Sequence, residues 1–173
     1  MQAPQNPAGA FVPEENYGAE RRAEFIATIA DAPAKLRTAI SGLSASQLDT
    51  RYRNWTIRQI VHHVPDSHVN AYIRFKLAVT EESPTIKPYD ESRWAALEDS
   101  RSGGVEAPLA LLDGIHACWT QFLRTMKNGD FARSYYHPEY NQKTSLSLAL
   151  ASYAWHCRHH TAQILWVREQ RGW

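Results

Sequence analysis

The stretch Leu146-Ser147-Leu148-Ala149-Leu150-Ala151-Ser152-Tyr153-Ala154-Trp155-His156-Cys157-Arg158-His159-His160-Thr161-Ala162-Gln163-Ile164-Leu165-Trp166-Val167 decides the fold. Within it Leu146, Ala149, Leu150, Tyr153, His156, Cys157, His160, Ile164 and Val167 recur every three or four residues, the period of one helical face. The helix is expected to open near Thr144 or Ser145 and to run close to the last residue. His156 and His160 stand one turn apart in the middle of its apolar stripe. Imidazoles on a face that turns away from water need hydrogen-bond partners or a ligand there.

Working outward, three more stretches carry the same period. Phe25, Ile26, Ile29, Leu36, Ile40 and Leu43 mark a first helix from Glu20, with Pro33 expected to kink or split it. Trp55-Thr56-Ile57-Arg58-Gln59-Ile60 has the layout of a capping box with a Trp55–Ile60 staple. It predicts a second helix from about Ile57 to Thr80, bent at Pro65. A third opens at Pro108, carries Leu109, Leu112, Ile115, Trp119, Phe122, Leu123 and Met126, and stops before Gly129. Residues 81–107 hold Pro84, Pro88, Gly103 and Gly104 and read as a long crossover, helical only over Asp90–Leu97. No alternating run of β-branched residues competes. The expectation is an all-α four-helix bundle with a long crossover connection, formed by residues 19–173 behind an N-terminal arm of residues 1–18 that lies on the surface.

Composition excludes several functions. The chain has 173 residues, 43% of them hydrophobic, so it can bury one substantial core. Nineteen Lys and Arg face eighteen Asp and Glu for a net charge of +1, which leaves no basic excess for nucleic acid or anionic lipid. Mean hydropathy is -0.50, and no stretch approaches the ~18 apolar residues that span a bilayer. The start, Met1-Gln2-Ala3-Pro4, lacks the pattern of a secretory signal. Cys118 and Cys157 are the only cysteines, both read as mid-helix in apolar surroundings where a thiol is inert. A reducing, cytoplasmic setting fits both points.

Histidine is the informative residue. Six of eight fall in two groups, His62, His63 and His68 and then His156, His159 and His160. The His156/His160 spacing lets two rings bind one metal, and the competing reading is a pair of core histidines bonded to backbone or tyrosine hydroxyls. A third imidazole from a facing helix would complete a site with open positions, as in catalytic zinc. On a helical wheel His68 lies near the centre of the second helix's apolar stripe, His63 at its edge and His62 on the far side. A bend at Pro65 changes that phase, so the wheel leaves the third ligand open between His68 and His63.

The runs Trp55 to His68, Arg74-Phe75-Lys76-Leu77-Ala78 and Trp155 to Ile164, with Pro33-Ala34-Lys35-Leu36, Lys87-Pro88-Tyr89 and Tyr136-His137-Pro138, resemble the YfiT branch of the DinB-like superfamily. The resemblance covers most of the chain beyond the arm. It implies a four-helix bundle with a three-histidine nickel or zinc site, homodimeric assembly, and a role as a metal-dependent hydrolase or, in the bacillithiol branch, a thiol S-transferase. By family position the ligands are His63, His156 and His160, with His68 lining the cavity. One departure is Arg53-Asn54-Trp55, where relatives often carry glycines. Asp66 and Gln163 stand where a residue could orient a ligating imidazole, although an exposed carboxylate is an equal reading for Asp66. Arg74, Lys76 and Lys87 are candidates to hold a substrate carboxylate against the plainer reading of solvated charges.

Three functions follow. In the first, a divalent metal presents a low-molecular-weight thiol cosubstrate to a small electrophile. In the second, the metal activates water for hydrolysis, but no Glu follows either histidine in an HExxH arrangement. The third is a non-enzymatic metal-binding bundle.

Overall fold

The molecule, a computed structural model, is described over residues 2–14 and 17–173, so Met1, Glu15 and Asn16 of the expected arm lie outside the described residues. The elements are α1 (Ala19–Ile40), α2 (Ala45–Leu48), β1 (Arg51–Tyr52), β2 (Trp55–Thr56), α3 (Ile57–Thr80), α4 (Glu91–Ala95), α5 (Glu98–Ser102), α6 (Glu106–Thr125), a 3-10 turn (Asp130–Ala132), β3 (Ser134–His137), β4 (Gln142–Ser145) and α7 (Leu146–Arg171). Four long helices, α1, α3, α6 and α7, make a four-helix bundle. α1 packs on α6 and α7, and α3 packs on the same two, so α1 lies diagonally across from α3 and α6 diagonally across from α7.

Local chemistry sets the helix starts. Thr56 accepts from the Gln59 amide while the Gln59 side chain accepts from the Thr56 amide, a complete capping box that fixes α3 at Ile57. Ser145 caps α7 by accepting from Leu148. Gly172, at φ 69°, closes its other end in the left-handed conformation glycine tolerates. Tyr17, Phe25, Ile29, Phe75, Trp119 and Leu150 belong to one core cluster, and Leu36, Ile57, Ile60, Leu112 and Ile164 to a second.

Several expectations are corrected. Pro33 does not split α1, which runs unbroken through it since a proline removes only one backbone donor, and α3 is continuous from Ile57 to Thr80 with Pro65 inside it. The crossover holds two short helices rather than one, with Asp90 capping α4 and Leu97 at the N-cap of α5. Two antiparallel hairpins, β1–β2 and β3–β4, supplement the helices. The turn between β1 and β2 places Arg53 at φ 51°, a region glycine enters freely and other residues seldom adopt. Cys118 is exposed on α6 rather than set in apolar surroundings, whereas Cys157 is buried. Among the described residues no helix is long and apolar enough to cross a membrane.

Candidate metal centre

α3 and α7 meet at three imidazoles. His63 on α3 and His160 on α7 are buried, and His156 between them is half-buried. The Nε2 atom of His156 lies 3.2 Å from Nε2 of His63 and 3.1 Å from Nε2 of His160. Burial pulls His63 down to about 4, and burial followed by the neighbouring rings holds His156 and His160 well below the ordinary imidazole value. All three rings are therefore neutral near pH 7, the protonation state a metal ligand needs.

Hydrogen bonds decide which nitrogen of each α7 ring carries its proton. Gln163 Oε1 stands 2.8 Å from His160 Nδ1, and a carbonyl oxygen only accepts, so that nitrogen is the N–H and Nε2 is bare. The Gln163 amide nitrogen donates in turn to His159 Nε2 at 2.8 Å. His156 is set by a longer chain. The Ile29 carbonyl of α1 takes the Nδ1 proton of His116 at 2.6 Å, leaving His116 Nε2 to accept from His68 Nδ1 at 2.6 Å. His68 Nε2 then accepts from His156 Nδ1 at 3.0 Å. Each neutral ring hands its donor to the next, and His156 Nε2 is left bare.

Two bare nitrogens 3.1 Å apart cannot hydrogen-bond to each other. Their lone pairs repel unless a cation lies between them. One ion with Zn–N bonds of ~2.0–2.1 Å sets ligand nitrogens about 3.3 Å apart at a tetrahedral angle, close to both observed separations. The donor set fits a divalent metal: three neutral imidazoles, two with their second nitrogen engaged. Trp55 covers the site, its ring 4.6 Å from that of His63 and stacked at 6.5 Å on that of His160.

Beside His156 opens a cavity of about 880 Å³, lined among others by Ser67, Arg74, Tyr89, Tyr135, His137 and Tyr153. His68 does not line it. That ring is fully buried behind His156, because α6 and Tyr153 pack over the stripe where the wheel had centred it. Asp66 orients no imidazole; it is half-buried on the side of α3 that faces the crossover, where burial and the charge of Asp99 raise its carboxyl to about 6. Gln163 hydrogen-bonds the His160 ring. His62, assigned to the far side of the wheel, is buried as well, since α4 and α5 cover the outer face of α3.

Sequence reasoning passed over His116, Trp55 and Tyr153. For His116 a signal existed: it falls four residues after Leu112 and three before Trp119, within the apolar stripe of α6. Trp55 was assigned only to a staple on Ile60.

The model of the DinB superfamily matches residues 19–164. Over 169 residues the chain is 44% identical to "Putative metal-dependent hydrolase YfiT" of Bacillus subtilis strain 168, covering 96% of this chain and 95% of that one. A Bacillus mycoides strain KBAB4 protein of the same description is 49% identical over 152 residues, 87% of each chain. The solved structure of the Bacillus subtilis protein, described as a probable metal-dependent hydrolase with an unusual four-helix bundle topology, superposes with a TM-score of 0.94 over 97% of each chain.

Proposed function

The chain belongs to the DinB superfamily, and on that premise we propose that it is a metal-dependent enzyme holding one divalent ion, zinc or nickel, at His63, His156 and His160. One observation carries the reading: bare imidazole nitrogens converge at the edge of a cavity large enough for a small substrate. When bound, the ion supplies the positive charge that lets a thiol or a water lose its proton near neutral pH. His68, His116 and Gln163 hold the α7 rings in the right tautomer, and Trp55 keeps solvent from one side.

The reaction we favour is transfer of a low-molecular-weight thiol, of the bacillithiol type in the resembled branch, to a small electrophile. No carboxylate joins the imidazole cluster among the described residues, and a thiol needs no general base once its thiolate is stabilised. Nor does the chain need a nucleophile of its own: burial pushes the Cys157 thiol up to about 12. Hydrolysis is the second reading, favoured by the names of the relatives. A purely structural metal fits less well beside a cavity of this size.

Metal analysis of the purified protein, followed by assay of several thiols with monochlorobimane, tests the proposal. Activity should require an added thiol, stop on chelation, return with a divalent metal and survive replacement of both cysteines by Ala. Brisk ester or amide hydrolysis without thiol, also stopped by chelation, would establish the second reading instead. We further propose a homodimer, supported by the family resemblance; light scattering at the monomer mass of 19.7 kDa would overturn it.

A further inference from the structure

Two arginines of α3 are buried to nearly the same degree, Arg58 at 7% and Arg74 at 9% exposure, yet their surroundings differ. Every nitrogen of Arg58 is met: Nε by Asp49 at 2.8 Å, one terminal nitrogen by the Gly103 carbonyl at 2.8 Å and the other by the Ala45 carbonyl at 3.2 Å. Arg74 has no acidic partner among the described residues. Its nearest hydrogen bond is a long one, 3.5 Å to the Tyr153 hydroxyl, and its Nε has no partner at all. A guanidinium stays charged at any relevant pH, so removing it from water without a counter-charge is unfavourable unless something else supplies the charge.

The walls around Arg74 suit an anion. Its side chain lines the cavity together with Tyr89, Tyr135, Tyr153, His137 and the metal-site residue His156. The tyrosines are neutral hydroxyl donors, and Nδ1 of buried His137 is a second polar atom without a partner. One fixed cation, several neutral donors and no carboxylate paired with Arg74 make a receptor for a planar oxyanion, which the guanidinium fork grips through two parallel hydrogen bonds. Asp90, Glu91 and Glu139 also line the cavity. Their charge disfavours a multiply charged phosphate and accommodates a ligand whose remaining atoms are neutral or cationic.

We infer that Arg74 is the anion-binding residue of this cavity and that its ligand is a small organic carboxylate whose far end reaches His156. The inference rests on the proposed function for the identity of that far end, the thiol or the reacting group. It requires only the cavity for the carboxylate itself. Arg74 then sets which substrates are accepted, and the metal-site histidines set what is done to them.

The test separates the two. Propionate, n-propanol and inorganic phosphate are titrated separately into the full-length protein, with and without zinc, while the Arg74 Nε–H resonance is followed by NMR. Propionate should give a saturable shift in both forms, phosphate should bind at least about tenfold more weakly, and n-propanol should leave the resonance in place. In the zinc-loaded protein 3-mercaptopropionate should bind about tenfold or more tightly than 2-mercaptoethanol, and Arg74→Gln should abolish that preference while zinc stoichiometry stays unchanged. Arg74→Lys, which keeps the charge and loses the fork, should retain part of it. No saturable shift with propionate on the wild-type protein overturns the inference, as does a thiol preference that persists in Arg74→Gln. Propionate binding by a protein that holds no zinc at the three histidines keeps the carboxylate site and removes the proposed function. Zinc binding without any propionate response does the reverse.

Discussion

His156 is fixed at Nδ1 by His68 and left bare at Nε2, and that arrangement separates what its neighbours do. Replacing His160 with Ala removes one of the three proposed ligands and should abolish stoichiometric metal, measured by elemental analysis after dialysis. His68→Ala removes only the acceptor of His156 Nδ1–H, so metal should still bind, with affinity weakened by about 10–100-fold. Full retention of metal by the first variant, or its complete loss in the second, would contradict the ligand assignment. The same rings predict a pH dependence for the metal-free protein. His63 binds a proton at about 4 when folded and near 6.5 when unfolded, so between those values the unfolded chain holds more protons. Stability is then at its full value above about pH 6.5 and declines as pH falls toward 4, by about 3 kcal/mol from this ring alone. Denaturant midpoints across that window check the sign; stability that rises on acidification would refute it. The His156/His160 pair was legible from spacing, but the choice of His63 over His68 was not. A wheel assumes one dry face, and α3 is dry nearly all round because α6 and α7 cover one side and α4 and α5 the other.

At the scale of elements, the parts readable from sequence are those fixed by chemistry within a few residues. The start of α3 depends on Thr56 and Gln59 alone, and Thr56→Ala should cost about 1 kcal/mol, lowering Tm by about 2–4 °C in a chain of this size. Because the cap sits less than two turns before His63, the same variant should also loosen metal binding; a thermal scan with and without zinc reads both effects. An unchanged Tm would mean that Trp55 and Ile57 packing, and not the cap, sets the helix start. The hairpins were not readable for the converse reason. β4 is Gln142-Lys143-Thr144-Ser145, polar throughout, and it is a strand only because β3 pairs with it in register from Ser134 opposite Ser145 to His137 opposite Gln142. α5 is equally silent in the sequence, being charged and short, and is held by its packing on α3. Arg74 belongs with these: its helix was legible, but its lack of a partner depends on which side chains β3 and the crossover bring to the cavity.

Across the whole molecule, one hydrogen-bonded chain joins all four long helices, from His156 on α7 to His68 on α3, His116 on α6 and the Ile29 carbonyl on α1. The diagonal arrangement makes this possible, since α3 touches both α6 and α7 and α6 touches α1. The segment ahead of α1 joins the same assembly at its rim. The Pro4 carbonyl accepts from the Tyr52 hydroxyl, the Ala3 carbonyl from Arg53 at 3.1 Å, and the Gly9 carbonyl from Trp155 Nε1 at 2.8 Å. Phe11 packs at 6.1 Å on the Trp155 ring, and Phe11 and Pro13 line the cavity that reaches His156. A surface arm without a role was the expectation from composition; the contacts make it a strap across the cavity beside His156. Deleting residues 2–13 should leave the helices, their core clusters and the cluster of His63, His156 and His160 intact, because few of those residues enter the core. Zinc stoichiometry should therefore be unchanged. The cavity loses one wall, so under the proposed thiol transfer KM for the thiol should rise with a smaller change in kcat, as expected when binding contacts shared by ground state and transition state are removed. A deletion that leaves KM unaltered would return the segment to the passive arm first read from its prolines, and one that loses zinc would show that the strap, through Trp155 and its neighbour His156, holds the metal site itself.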